Sequence, residues 1–202
     1  MRRWFFIALL AFGLWHWWQD RPVHQPPGVL VASVPLQQSI AGNAPQFEKN
    51  GYTVKAVASF AMTARALGVE HYSFDREANL APVDIAFGWG PMSDSNVLAK
   101  IRISQGGRFY NWHVEEFPVP RRDIEVYSAN MHLIPANADV ERNLKRVRVG
   151  DIVKLSGYLV EVRAADGWRW RSSLTREDIG AGACELIWVE QFELRSGLRI
   201  EE

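Results

Sequence analysis

The chain is poor in cysteine and carries no excess charge, and both absences exclude classes of protein. Cys184 is its only cysteine, so no intramolecular disulfide can form and no cysteine near the N-terminus can accept a lipid. The formal net charge of zero removes the gross electrostatic case for binding nucleic acid. One local basic cluster is more typical of a solvated helix face than of a phosphate site: Arg142, Lys145, Arg146 and Arg148.

The histidines lack the spacing of a metal site. His71, His113 and His132 are dispersed, and no two of them stand where one helical face or one turn would present both to a metal ion. Distant ligands can still converge in a fold. The sequence itself predicts no metal site and no cofactor.

The N-terminus carries a long apolar run. Arg2 and Arg3 precede residues 4–18, which only Gly13 and His16 interrupt, the layout of an export signal or a membrane anchor. As a helix these fifteen residues would extend roughly 22 Å, less than the about 30 Å of a hydrocarbon core. Length alone therefore favours a cleaved signal peptide.

The chain also lacks the small residues that signal cleavage needs after this run. Residues 15–19 read Trp-His-Trp-Trp-Gln, and the nearest small pair, Ser39 and Ala41, lies too far downstream. Tryptophans suit the membrane interface. We therefore predict an uncleaved single transmembrane helix over 4–18 in the inner membrane, with the N-terminus cytoplasmic and the body periplasmic. A cleaved signal and a soluble helix are the alternatives.

Composition divides the rest of the chain into two parts. Residues 19–46 hold five of the ten prolines, which favours an extended tether between the anchor, residues 1–18, and a globular domain over 47–202. Within the tether, residues 29–31 (Val-Leu-Val) suggest a short edge strand. The domain is long enough to form one proper core.

The patterns in the domain predict an α+β, mostly β fold with short helices. Predicted strands cover 52–62, 108–114, 124–134, 150–163, 168–171 and 184–194. Predicted helices cover 81–87 and about 136–147, and a further helix, capped by Ser93 or Ser95, runs through 98–101. The apolar positions change parity at Gly157, which indicates a bend or bulge there. A strand bent at glycine and a helix after the third strand suggest a small five-stranded barrel of the OB type.

One set of residues has the chemistry of nucleophilic catalysis. Cys184 could serve as a thiol nucleophile, with His132 as its base and Asn130 as the group that orients the base. The alternative is that Cys184 begins a strand as a small buried hydrophobe.

Three tryptophans are candidate binding residues. At strand periodicity Trp168 and Trp170 share one face, either in the barrel core or exposed as a stacking platform for a sugar or a base. Trp89, in a Gly-Trp-Gly-Pro turn, is either a plug over the core or an anchor for a protein partner.

Four segments carry a resemblance to a known family. They are NLAPVDIAFGWGPMSD (79–94), SANMHLIP (128–135), WRWRSSLTRED (168–178) and GACELIWVE (182–190). Over these segments the chain resembles a family of proteobacterial envelope proteins that has no assigned activity. The resemblance implies a bacterial origin and a folded domain, and it adds no catalytic residue.

These observations predict a membrane-tethered envelope protein. The preferred hypothesis is a non-enzymatic module that binds an envelope protein or a glycan. The alternative is a thiol-dependent hydrolase or transferase that uses Cys184 and His132, and a structural subunit of an envelope assembly is a third possibility.

Overall fold

The computed structural model describes Gly13, residues 21–175 and residues 184–195. This part of the chain is mostly β, with short helices, as the sequence predicts. Its strands are β1 (Leu36–Ser39), β2 (Gln46–Lys49), β3 (Tyr52–His71), β4 (Val83–Gly88), β5 (Ile101–Gly106), β6 (Phe109–Val114), β7 (Ser128–Pro135), β8 (Ile152–Ala164), β9 (Arg169–Arg171) and β10 (Glu185–Arg195). Its α-helices are α1 (Ser95–Leu98), α2 (Arg121–Val126) and α3 (Ala138–Leu144), and Glu77–Asn79 and Gly90–Ser93 form 3₁₀ helices.

Five strands close into a ring in the order β3, β4, β7, β10, β8, with β8 pairing back onto β3. The β7–β10 pair is parallel, and the other four pairs of the ring are antiparallel. β1 and β2 extend one edge of β3, and β9 pairs with β8. β5 and β6 form a separate two-stranded hairpin.

The strand β3 makes closure possible because it is twenty residues long. Its first part pairs with β8, and its last part pairs with β4. Alternate residues of β3 enter the core inside the ring, and several of them are small, which leaves room for larger neighbours. The inward residues are Ala58, Phe60, Met62, Ala64 and Ala66.

Gly157 lies where β8 and β10 approach closely, opposite a register shift between Val189 and Gln191, and the face of β8 that enters the ring does not change there. Val153, Leu155 and Leu159 keep one parity through it and all enter the core of the ring. Val160 and Val162 are buried on the opposite face, in a second cluster that Trp168 and Trp170 help to cover. A Cβ at Gly157 would lie 1.9 Å from the carbonyl oxygen of Trp188. The position therefore requires glycine for lack of space.

The predicted helix over 81–87 is wrong, because this stretch contains strand β4. Val83, Ile85 and Phe87 point into the ring, and Ala86 on the outer face packs in the cluster that includes Ile101 of the hairpin. A strand buried on both faces has no alternation of polar and apolar residues, so its pattern does not separate it from a helix.

Two further elements differ in their bounds. The predicted strand over 124–134 begins only at Ser128, after helix α2. Helix α3 lies within the predicted 136–147, and Asn137 caps it by accepting from the N–H groups of Asp139 and Val140. A side-chain cap of this kind satisfies backbone donors that the first turn leaves unpaired.

The proline-rich segment contributes residues to the fold. Residues 29–31 form no strand, and the edge strand is β1, further along the chain. Val31 is 5% exposed and packs in the core of the ring. Within the described residues, no helix has both the length and the apolar character needed to cross a bilayer. The helix predicted over 4–18 lies outside the described residues, apart from Gly13.

Candidate functional site

The outer face of β4, β7 and β10 carries a cluster of polar side chains. Asp84 of β4 pairs in register with His132 of β7, which in turn pairs with Leu186 of β10. Two residues earlier on β7, Asn130 has the same parity as His132, and its Nδ2 atom lies 3.9 Å from the sulfur of Cys184, just before β10. The sheet register therefore brings Cys184, His132 and Asn130 together.

His132 forms the buried centre of this cluster. Its Nδ1 atom lies 2.8 Å from Oδ2 of Asp84, and the two side chains are 5% and 1% exposed. Burial lowers the pKa of His132, but its interactions with Asp84 and, to a smaller extent, with Cys184 outweigh this effect and raise the pKa to about 9. His132 is therefore an imidazolium at neutral pH, held between a carboxylate and a thiol.

Arg108 compensates the buried charge of Asp84. Its Nη1 atom donates to Oδ1 of Asp84 at 2.8 Å and to the carbonyl of Ala81 at 2.9 Å, and its Nη2 atom donates to Asp75 at 2.7 Å. The Arg108 side chain is 14% exposed. Asp84 thus has a cationic partner on each carboxylate oxygen, which offsets the cost of burying its charge.

Arg108 enters the site from a tight turn in which its backbone is left-handed. Gly107 and Arg108 form the two-residue turn between β5 and β6, with φ of 58° and 70°. A left-handed conformation costs a residue with a Cβ about 1–2 kcal/mol. The N–H of Arg108 donates to the hydroxyl of Tyr72 at 3.0 Å, and its guanidinium lies 3.7 Å from the centre of that ring. These contacts offset the strain of the turn.

Gln105 fixes the orientation of Asn130. Its Nε2 atom donates to Oδ1 of Asn130 at 2.8 Å, so the Nδ2 group of Asn130 must point the other way. That group donates to the carbonyl of Arg108 at 3.2 Å and faces the sulfur of Cys184. The sulfur itself lies 3.9 Å from the same carbonyl oxygen. Cys184 is a free thiol that is partly buried.

The two tryptophans of the β9 region border the cluster. The Trp170 ring lies 4.9 Å from the His132 ring, between centroids, and the guanidinium of Arg108 lies 5.8 Å from the Trp170 ring. Trp168 is covered by Arg76 at 4.6 Å. Both indoles are partly buried and cover the second cluster, so arginines of this chain already occupy positions over the predicted stacking platform.

Trp89 lies apart from this face. It is 1% exposed and packs in the core of the ring, where its backbone N–H donates to the carbonyl of Tyr127. This is the position expected for a plug over the core, one of the two interpretations of Trp89 given above.

Sequence reasoning missed Asp84, Arg108, Asp75 and Gln105. A usable signal existed for Asp84, which is the one charge within the apolar stretch of β4, and a buried charge needs a partner. Arg108 gave no comparable signal, because its role depends on how the hairpin folds back on β4 and β7.

The described residues contain no group of three or more His, Cys, Asp or Glu side chains able to hold a metal ion. No protein-family model, curated protein or solved structure matches the chain. The site is therefore interpreted from its own geometry.

Proposed function

We propose that the protein is a thiol-dependent hydrolase or transferase whose nucleophile is Cys184. The observation that carries the proposal is the continuous array of Asp84, His132 and Cys184 on one face of the ring, with Asp84 2.8 Å from His132. Such an array of carboxylate, imidazole and nucleophile recurs on unrelated folds and is recognised by its geometry.

Each side chain has a definite role in the proposed reaction. The Cys184 sulfur, as thiolate, forms a bond to the carbonyl carbon of an ester, thioester or amide. The bond from that carbon to the leaving group then breaks, and the leaving group departs with a proton from His132. Water or an acceptor nucleophile next attacks the thioester carbon and returns a proton to His132, and the sulfur leaves as thiolate. Asp84 orients the imidazole, and the amide of Asn130 can donate to the developing oxyanion.

In the proposed reaction His132 supplies a positive charge next to the Cys184 sulfur. The pKa of His132, raised to about 9, keeps the ring cationic near neutral pH, and a cationic neighbour stabilises a thiolate. Arg108 also forms a salt bridge with Asp84. The charge of the buried carboxylate is therefore compensated by Arg108 as well as by His132.

We propose further that this domain is an OB-type barrel held in the bacterial inner membrane by residues 4–18. The strand order of the ring and its parallel β7–β10 pair support the barrel assignment. The arginines and the apolar run of the N-terminus, together with the resemblance to proteobacterial envelope proteins, support the location.

The single cysteine makes the proposal testable without a known substrate. Alkylation of the purified protein by iodoacetamide reports on Cys184 alone. We expect His132→Gln to slow alkylation at least tenfold at pH 6, where an unpaired thiol is protonated, and to slow it much less at pH 9.5. His113→Gln is the matched control, because His113 is an exposed histidine on β6. Equal rates for the wild type and His132→Gln at pH 6 would refute the proposal.

The second step of the test concerns turnover. A panel of chromogenic esters and thioesters should give an acyl-enzyme visible by mass spectrometry as an adduct on Cys184. Cys184→Ala should abolish both the adduct and the turnover. Turnover that survives Cys184→Ala would assign the activity to other residues.

A binding function at the same face is the second candidate. The cluster lies on the second and third strands of the ring, and OB barrels bind ligands on this face. Trp170, beside His132, would then contact an envelope protein or a glycan. A cellular phenotype that Cys184→Ala leaves intact and Trp170→Ala removes would favour binding over catalysis.

A further inference from the structure

The proline-rich segment before the body is fixed to it close to the start of the described chain. The N–H of Val23 donates to the carbonyl of Val149 at 2.7 Å, and the side-chain amide of Gln25 donates to the carbonyl of Gly150 at 2.9 Å. The hydroxyl of Ser95 donates to the carbonyl of Gln25 at 2.9 Å. Residues 23–25 therefore follow the surface at the entrance to β8.

A second set of contacts fixes the same segment further along. The Ser93 hydroxyl accepts from the N–H groups of Leu30 and Val31 at 3.1 and 3.0 Å. The N–H of Gly90 donates to the carbonyl of Val31 at 2.7 Å. Because the Val31 side chain is buried in the ring, the segment belongs to the folded body and cannot act as a free spacer.

This docking leaves little chain between the body and the apolar run. From Trp18 to Val23 there are five peptide steps, which reach at most about 18 Å when fully extended. The inference rests on the membrane anchor proposed above. If residues 4–18 span the bilayer, the surface around Val149 must lie near the headgroups.

That surface is the basic cluster noted in the sequence. Its exposed cations are Arg142, Lys145, Arg146 and Arg148. Three of them are paired with Asp139, Glu141 and Asp151, while Arg146 has no ion-pair partner within the described residues. Exposed pairs of this kind contribute at most about 1 kcal/mol, so a lipid phosphate can compete for their cations. Val149, at the point where Val23 docks, is 36% exposed.

We propose that the edge formed by residues 142–149 lies against the bilayer and binds the anionic headgroups of phospholipids. Each lysine or arginine near an anionic membrane surface contributes about 1 kcal/mol, and the short connection holds these side chains within reach of the headgroups. The body is then held in one orientation, with this edge facing the membrane.

Fluorescence quenching in vesicles tests the proposal. The full-length protein carrying Cys184→Ser receives a single fluorophore through Val149→Cys, or through Phe74→Cys on a fully exposed loop. It is reconstituted into phosphatidylcholine vesicles with or without phosphatidylglycerol, and a quencher is attached to the lipid headgroups. We expect quenching at position 149 to exceed that at position 74 several-fold, and to increase with phosphatidylglycerol.

Charge reversal separates headgroup binding from mere proximity. Replacing Arg146 and Arg148 by glutamate should remove the increase caused by phosphatidylglycerol. In the matched control, glutamate replaces Arg169 and Arg171, two exposed arginines of β9. This variant should keep the increase in quenching that phosphatidylglycerol causes. An increase that persists in the first variant would overturn the proposal.

Alkaline carbonate extraction distinguishes the two levels of failure. A chain that leaves the vesicles would refute the anchor, and the inference with it. A chain that stays in the membrane, with position 149 quenched no more than position 74, would refute the orientation alone.

Discussion

The raised pKa of His132 makes the stability of the protein depend on pH in a defined direction. In the unfolded chain a histidine has a pKa near 6.5, and in the folded protein the pKa of His132 is about 9. Below pH 6.5 both states bind the proton, and the stabilisation by Asp84 and Cys184 is fully present. Between these two values the folded state binds more protons, so stability falls as pH rises, and above pH 9 the contribution is lost.

The size of this contribution follows from the shift. Folding raises the pKa of His132 from about 6.5 to about 9. At roughly 1.4 kcal/mol per pH unit, this change stabilises the folded protein by about 3 kcal/mol. His132→Gln removes the titrating group while Asp84 keeps its bond to Arg108 at 2.8 Å. The difference in unfolding free energy between the wild type and His132→Gln should therefore shrink by about 3 kcal/mol from pH 6 to pH 9.5.

Urea-dependent pulse proteolysis of the full-length protein in a mild detergent measures this difference, because it counts folded molecules directly. Repeating the pair in a Cys184→Ala background separates the two partners. The pH dependence should become smaller there but persist, since the interaction with Asp84 raises the pKa of His132 more than the interaction with Cys184 does. A difference that is constant between pH 6 and 9.5, or that grows with pH, would refute the assignment of His132 as a buried imidazolium.

Three further substitutions test the packing, each by its urea midpoint. Gly157→Ala should lower the free energy of unfolding by about 3 kcal/mol, because the added Cβ would lie 1.9 Å from a backbone oxygen. Gly106→Ala is the control, because the space around Gly106 is open. Equal losses for the two variants would contradict the close approach at Gly157. Val31→Ala should lower the free energy of unfolding by about 2 kcal/mol. The control, Val29→Ala at an exposed position, should lower it by less than about 0.5 kcal/mol. A Val31→Ala variant as stable as the wild type would show that the segment is not docked. Arg108→Gly removes the backbone strain of the turn but leaves one oxygen of Asp84 without a cationic partner. We therefore expect the free energy of unfolding to fall by about 2 kcal/mol in total. A gain in stability would refute the role of the ion pair.

The parts of the fold that the sequence predicted are those whose signals are local. Alternation begins strand β3 where it was expected, and the polar helix α3 follows the strand that ends at a proline. The strand β4 was missed because all six of its residues are buried. Apart from Asp84, its residues are apolar or glycine, and Pro82 before it resembles the first residue of a helix. The irregularity predicted at Gly157 is present, because the pairing of β8 with β10 shifts register between Val189 and Gln191, directly opposite this glycine. The second buried face of β8 has a separate origin, since Val160 and Val162 pack in the cluster that Trp168 and Trp170 help to cover.

The candidate site was predictable in its residue types but not in its assembly. Cys184, His132 and Asn130 were selected for their chemistry alone, and their proximity depends on the parallel register of β7 and β10, which no local pattern encodes. Asp84 and Arg108 complete the charge balance through a contact between β4 and the tip of a hairpin more than twenty residues away in sequence. Pairings of this kind are tertiary, and they become visible only when the strands are aligned.

The position of β10 has a consequence for the order of folding. Among the described strands it is the last in sequence, yet it lies between β7 and β8 and closes the ring. Synthesis proceeds from the N-terminus, so the earlier strands must wait with an open edge until residues 185–195 become available. Contacts across such sequence distances form slowly. Cys184 reaches His132 only at this closing step, so the thiol and the imidazole stay apart until the residues of β10 have been synthesised and have paired with β7 and β8.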